Sequence, residues 1–288
     1  MEEYSWNLLE PRPEAAGLAA ALGLPLPLAQ VLANRKILDP ASAEKFLRGS
    51  LADLHDPFLM TGMAAAVDRI DRAVENGEKI LIFGDYDVDG VLSMVMLHRA
   101  LSSMGGRVDY FIPERLKEGY GIKDEHIGVA AERGAKLVIS VDCGIKAVGF
   151  VRRAKELGID VIITDHHLPG LEIPDALAVL DPVAPGANYP ERNLASVGVV
   201  LKLIQALLAR NGRSSLRCGS VPMTRQGVSL AALGTCSGMW TRYRDLSWII
   251  HVGRNEVALV RAGTAQLLKR PKFRQCWRLL VPAYMRHE

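Results

Sequence analysis

A chain of 288 residues, 49% hydrophobic and 23% charged, has the composition of a soluble globular protein of one or two domains. Its net charge of +3 is too small to attract nucleic acid by overall charge, so any such partner must be held by a local patch. Cys143, Cys218, Cys236 and Cys276 form no C-x-x-C pair, which argues against a zinc ribbon or disulfide framework and suits a reducing, cytoplasmic setting.

The start, "MEEYSW", is acidic and polar, so no secretory signal is expected. Residues 14–48 predict short helices broken by Gly23, Pro25, Pro27 and Pro40, because Ala, Leu, Glu and Lys favour helix while the breakers interrupt it. Asp39 offers an N-cap there, with Pro40 at the first helical position. Asp56 and Pro57 mark a loop, and "MAAAVDRIDRAVENG" predicts a helix closed by Gly77. From residue 78 the pattern alternates. "EKILIFGD" reads as a buried strand, "VLSMVMLHRALSSMG" as helix, "RVDYFIP" as strand and "KDEHIGVAAERG" as helix. "AKLVISVDCG", "AVGFVRRAKELG" and "IDVIITDHH" continue as strand, helix and strand. "ALAVLDP" adds a further strand and "ASVGVVLKLIQALLARNG" a further helix. That last stretch is short and interrupted by Lys202, so no membrane span is expected. Such alternation predicts an α/β fold, an open and mainly parallel sheet with helices on both faces, preceded by a small helical N-terminal segment. The expected domains are 1–60, 61–238 and a divergent segment 239–288.

In open parallel sheets, function collects beyond the carboxyl ends of the strands. Three expected strands end in acid or imidazole: the first at Asp85, Asp87 and Asp89, the next at Asp142, the third at Asp165, His166 and His167. Each alone has an ordinary reading, as a solvated acidic turn, a helix cap at Asp142 or an exposed histidine pair. Their convergence on one rim favours a metal site. Carboxylates with imidazole and no thiolate suit Mn²⁺ or Mg²⁺. Four or five carboxylates balance two divalent ions, which in phosphoryl chemistry clamp the attacking and leaving oxygens. Asp142, isolated at a central strand end, is the natural bridge. The chemistry best supported is hydrolysis of a phosphate ester or anhydride.

"GDYDVDG", "VDCGI" and "TDHH" resemble the first three motifs of the DHH phosphoesterase family. "RKILDPASAEKFL", "LHDPF", "IPERLKEGYGI", "ASVGVVLKL" and "LAALGT" resemble its RecJ branch in order and spacing, over residues 14–235. The resemblance implies a 5′-to-3′ exonuclease on single-stranded DNA, serving repair and recombination. It implies Asp87, Asp89, Asp142 and His166 as metal ligands, with Asp85 in the same acidic loop as a ligand or an outer support. It further implies His167 facing the scissile phosphate, while Asp165 suits orienting the histidines. Arg115, Lys117 and Tyr120 suit phosphate contact and stacking on a single strand, and "RRAKE" (152–156) and His98 read as ordinary helix residues. Two rivals remain: a short-oligonucleotide or dinucleotide phosphodiesterase of the same superfamily, and a non-catalytic DNA-binding or scaffold protein that keeps the fold.

The family pattern breaks after "LAALGT". Gly238 stands where relatives carry an aspartate for the second metal. The segment to residue 252 reads either as a reading-frame disruption or as divergence, with Asp245 a possible substitute. The second, nucleic-acid-gripping domain of the branch is not expected in this chain. A weak nuclease follows from both features.

Overall fold

The computed structural model describes residues 10–48, 53–113 and 121–212, and a short antiparallel pair at 217–218 and 221–222. The first described segment folds as α1 (Glu14–Leu22), α2 (Leu26–Asn34) and α3 (Pro40–Arg48). Their punctuation is the one the sequence predicts except at Pro27, which does not break a helix but lies in the first turn of α2, where its missing N–H has no intrahelical partner to lose. Gly23 closes α1 in the left-handed region at φ 62°, and Asp39 Oδ1 accepts the Ser42 N–H at 2.8 Å ahead of Pro40. Ala15, Leu18, Ala29, Leu32, Ala33 and Ala43 form their own small apolar cluster.

The α/β body follows in chain order: α4 (Met63–Glu75), β1 (Lys79–Gly84), α5 (Val88–Ser103), β2 (Arg107–Phe111), α6 (Ile127–Glu132), β3 (Leu137–Val141), α7 (Val148–Glu156), β4 (Asp160–Thr164), β5 (Ala178–Leu180) and α8 (Ser196–Arg210). All five strands run parallel, in the order β2-β1-β3-β4-β5. Side chains of a strand alternate between faces, and two cores result. Ile80, Ile82, Ile139 and Ile162 pack under α4, α5 and α8, while Leu81, Phe83, Val138 and Ile163 pack under α6 and α7. Burial on both faces explains why β1, β3 and β4 are continuous apolar runs rather than alternating ones, whereas the edge strand β2 is partly exposed.

Twelve of the 15 residues of α8 are buried, so its apolar composition reflects position in the core. Among the described residues no helix is long and apolar enough to cross a membrane. Lys202 does not interrupt the helix; its Nζ donates to the His55 carbonyl at 2.9 Å, and burial pushes its pKa down to about 8. "RRAKE" is solvent-facing except for Ala154, and His98 packs edge-on against Tyr110 at 5.9 Å.

One boundary departs from the expectation in a way that matters. The apolar pattern starts the second body helix at Val91, yet α5 begins at Val88, because the Asp87 carboxylate accepts the Gly90 N–H at 2.9 Å and caps it. Gly90 then rests on the backbone of Asp85. A Cβ at residue 90 would lie 2.7 Å from the Asp85 carbonyl oxygen, too close to accommodate without moving backbone. Gly90→Ala is therefore expected to cost about 1–3 kcal/mol in urea unfolding. Gly17→Ala, whose Cβ meets nothing within 4 Å, should gain about 0.4–1 kcal/mol by helix propensity and reduced unfolded-state freedom.

Candidate metal centre

From β1 the chain crosses to β2 on one flank, then returns to place β3 on the other. This reversal opens a crevice at the carboxyl ends of β1 and β3. Asp85 and Asp87 leave β1 on one side of it, and Asp142 leaves β3 on the other. Beyond β4 stand Asp165, His166 and His167, and beyond β5 stands Asp181.

The ligand-capable atoms of Asp85, Asp87 and Asp142 lie within 4.8 Å of one another, as do those of Asp142, His166 and His167. Asp142 belongs to both groups. It is 1% exposed, and it does not cap the following helix, which starts at Val148 with Ala147 before it. Its backbone sits at φ 62°, a left-handed conformation uncommon outside glycine. His166 Nε2 lies 3.1 Å from Asp142 Oδ1 and 3.7 Å from Asp89 Oδ2, but Asp142 Oδ1 makes no hydrogen bond although it is buried.

Asp89 is held differently. It lies in the first turn of α5, not in an open loop, and its two oxygens accept the Ser196 and Val197 N–H groups at 2.9 and 2.8 Å. These are orphan donors at the start of α8. Residue 195 is alanine and has no capping side chain, so Asp89 caps α8 from 107 residues away. Asp165 is the most satisfied carboxylate on the rim. Its Oδ1 accepts the backbone N–H groups of His166 and His167, at 2.7 and 3.2 Å, and pairs with His167 Nδ1 at 2.7 Å. Its Oδ2 accepts the Ile145 N–H at 2.9 Å.

The electrostatics divide the rim into a compensated part and an uncompensated one. Burial alone would push Asp165 up, but its bonds from His167 and the backbone outweigh that and hold it below its ordinary value. The same bond raises His167. Asp142 has no such relief: burial, then Asp89 and Asp87, push it up to about 10. Burial also pushes Asp89 up, against His166 and the two N–H donors of α8. Asp181 rises to about 6, mainly through burial. A buried carboxylate with neighbouring acids and an unbonded oxygen is a place where a cation lowers the energy, and oxygen donors with one or two imidazoles suit Mn²⁺ or Mg²⁺.

The profile of the DHH family, N-terminal domain, matches residues 79–235, more than half of the chain. The chain belongs to the DHH family. Among DHH relatives, it is 40% identical over 266 residues to the single-stranded-DNA-specific exonuclease RecJ of Bacillus subtilis (strain 168), covering 92% of this chain and 32% of that protein. It is 36% identical over 226 residues to RecJ of Escherichia coli (strain K12), covering 77% and 38%. RecJ of Thermus thermophilus, solved with Mn²⁺, superposes with a TM-score of 0.67 at 27% identity, over 85% of this chain and 34% of that one. A further exonuclease RecJ, solved with manganese, gives 0.57 at 32% identity, over 67% and 46%. The chain spans about a third of the length of the curated relatives it matches.

Of the residues singled out in the sequence, the DHH rim gathers Asp85, Asp87, Asp89, Asp142, Asp165, His166 and His167. Arg115, Lys117, Tyr120, Gly238 and Asp245 lie outside the described residues. Sequence reasoning passed over Asp181 and the α8 start at Ser196–Val197. The uncapped helix start after Ala195 was a usable signal for the latter, since a buried helix needs a partner for its first N–H groups.

The pKa shifts fix a pH dependence for the chain without metal. Asp142 is protonated in the folded state up to about pH 10 and gives up that proton near pH 4 when unfolded, so stability falls as pH rises between these values. His167, raised, acts in the same direction: its contribution is full below its unfolded pKa and is lost as pH rises through the folded one. Asp165, lowered, loses its contribution only in acid. The metal-free Tm should therefore drop by several degrees between pH 6 and pH 9, and Asp142→Asn should flatten most of that slope in a thermal melt.

Proposed function

We propose that this chain holds Mn²⁺ or Mg²⁺ at the DHH rim and belongs to a phosphodiesterase that removes nucleotides from the 5′ end of single-stranded DNA. The observation that carries the reading is Asp142, buried, unbonded at Oδ1 and shared between an acidic group and a histidine pair. The similarity to single-stranded-DNA-specific RecJ proteins supports the substrate. Asp87, Asp89, Asp142 and His166 would hold the metal, with Asp85 beside them. One or two such ions would supply the charge that clamps the attacking and leaving oxygens of an in-line displacement.

The chain's own groups have separate tasks. Asp165 accepts from His167 Nδ1, which fixes the ring and favours its charged form, so that His167 Nε2–H serves as donor to a non-bridging phosphate oxygen. The N–H groups of α8 keep Asp89 oriented without neutralising it. Arg115, Lys117 and Tyr120 would track the strand through phosphate contact and stacking. A cytoplasmic setting goes with a DNA substrate. Residues 61–238 would form the catalytic domain, with the N-terminal helices at 1–60 and the segment from 239 onward apart from it.

Mn²⁺ should raise the Tm of the parent chain by mass action, and Asp142→Ala should remove most of that rise. A parent chain whose melt does not respond to Mn²⁺ would show the metal reading to be wrong. On 5′-phosphorylated single-stranded DNA with Mn²⁺, nucleotide release should be weak because Gly238 stands where the family has an aspartate. Gly238→Asp should raise release about 10-fold or more, in line with the size of losses at metal sites. Replacing Tyr120 and Arg115 together by alanine should weaken strand binding by about 1–3 kcal/mol or more, read by fluorescence anisotropy, with an unchanged melt.

A further inference from the structure

Asp181 belongs to neither of the two ligand groups that share Asp142. It follows β5, and parallel pairing sets Thr164 opposite Leu180, with the Asp165 N–H donating to the Leu180 carbonyl at 3.0 Å. Asp181 thus leaves its strand level with the turn that carries His166. It is 2% exposed. Its Oδ1 accepts the Val183 N–H at 2.8 Å, while its Oδ2, equally enclosed, has no hydrogen-bond partner. Burying a carboxylate oxygen unbonded is costly, and nothing in the turn requires it: serine at 181 could receive the Val183 N–H through its hydroxyl.

The strand order supplies the reason. His166 leaves β4, which lies between β3 and β5. Its Nε2 is turned to Asp142 and Asp89, which leaves Nδ1 as the nitrogen for a second partner, and the Asp181 carboxylate lies near enough to interact electrostatically with the His166 ring. A histidine that ligates a metal through one nitrogen almost always donates its other N–H to a carboxylate, carbonyl or water, which fixes the ring and raises its basicity.

We propose that Asp181 is a positioning residue of the metal centre, its Oδ2 accepting from His166 Nδ1–H through one bridging water. The water enters because no direct ion pair joins the two among the described residues. The proposal rests on the metal reading above and adds to it a carboxylate from a fourth strand end, the strand farthest along the sheet from the acidic loop.

The experiment compares the parent chain with Asp181→Asn and Asp181→Ser, by thermal melt without metal and by calorimetric titration with Mn²⁺. Both variants keep a group for the Val183 N–H and lose the acceptor at Oδ2. A positioning role moves the two readouts in opposite directions. The metal-free Tm should stay level or rise, because an uncompensated buried charge is gone, while Mn²⁺ affinity falls about 10–100-fold. A merely structural aspartate would lower the metal-free Tm and leave Mn²⁺ affinity within about twofold in whichever variant folds, and that result overturns the proposal. Failure of both variants to fold would likewise assign Asp181 to the structure alone. A parent chain that takes up no Mn²⁺ would remove the metal reading and this inference together. Mn²⁺ binding that is equal in parent and variants removes only the inference.

Discussion

Several carboxylates are buried at one rim of the sheet with no lysine or arginine side chain among their described partners, and the surrounding structure is organised around that cost. The opposite end of the same sheet shows the ordinary solution. There Arg69, a buried residue of α4, forms ion pairs with Asp160 at 2.5 Å and Glu78 at 2.7 Å and donates to the Lys136 carbonyl at 3.2 Å, so two acids share one guanidinium. At the carboxyl end, compensation comes from peptide N–H groups instead. Gly90 N–H serves Asp87, Ser196 and Val197 serve Asp89, and Ile145, His166 and His167 serve Asp165. Backbone donors orient a carboxylate and stabilise its charge only partly. An arginine would neutralise it and take up its lone pairs.

That difference explains which acids remain uncompensated. Asp165 has enough donors to stay ionised, and its charge stabilises a proton on His167. Asp142 has the fewest, sits in a left-handed backbone conformation and is pushed toward its protonated form by burial and its acidic neighbours. Strain and an unbonded oxygen at one residue are costly to stability, and such costs persist where a site needs a group held ready. The two cores on either side of the sheet hold the strands in register, and register is what keeps the strand ends level.

Helix α8 ties the core to the site. Its burial makes it rigid, and its first N–H groups are the main support described for the Asp89 carboxylate besides His166. Asp89 in turn lies in the first turn of α5, whose own cap is Asp87. Two helix starts and two acids of one short motif are therefore mutually dependent: shifting either helix along its axis would move a carboxylate out of the crevice.

The fold class was legible in the sequence because a parallel sheet buried on both faces writes itself as short apolar runs alternating with amphipathic helices, and because Gly23, Pro25, Asp39 and Gly77 punctuate helices by local geometry alone. The acids and histidines at three strand ends were legible for the same reason, since their chemistry is incompatible with the apolar runs that precede them. What local pattern could not carry was any relation between distant residues. The capping of α8 by Asp89, the sharing of Asp142 between two groups and the placing of Asp181 beside the His166 turn depend on strand order, and strand order is chosen by how helices pack across the sheet. Sequence determined which groups stand at strand ends; tertiary structure decided which of them face one another, because only packing brings residues 107 apart within hydrogen-bonding distance.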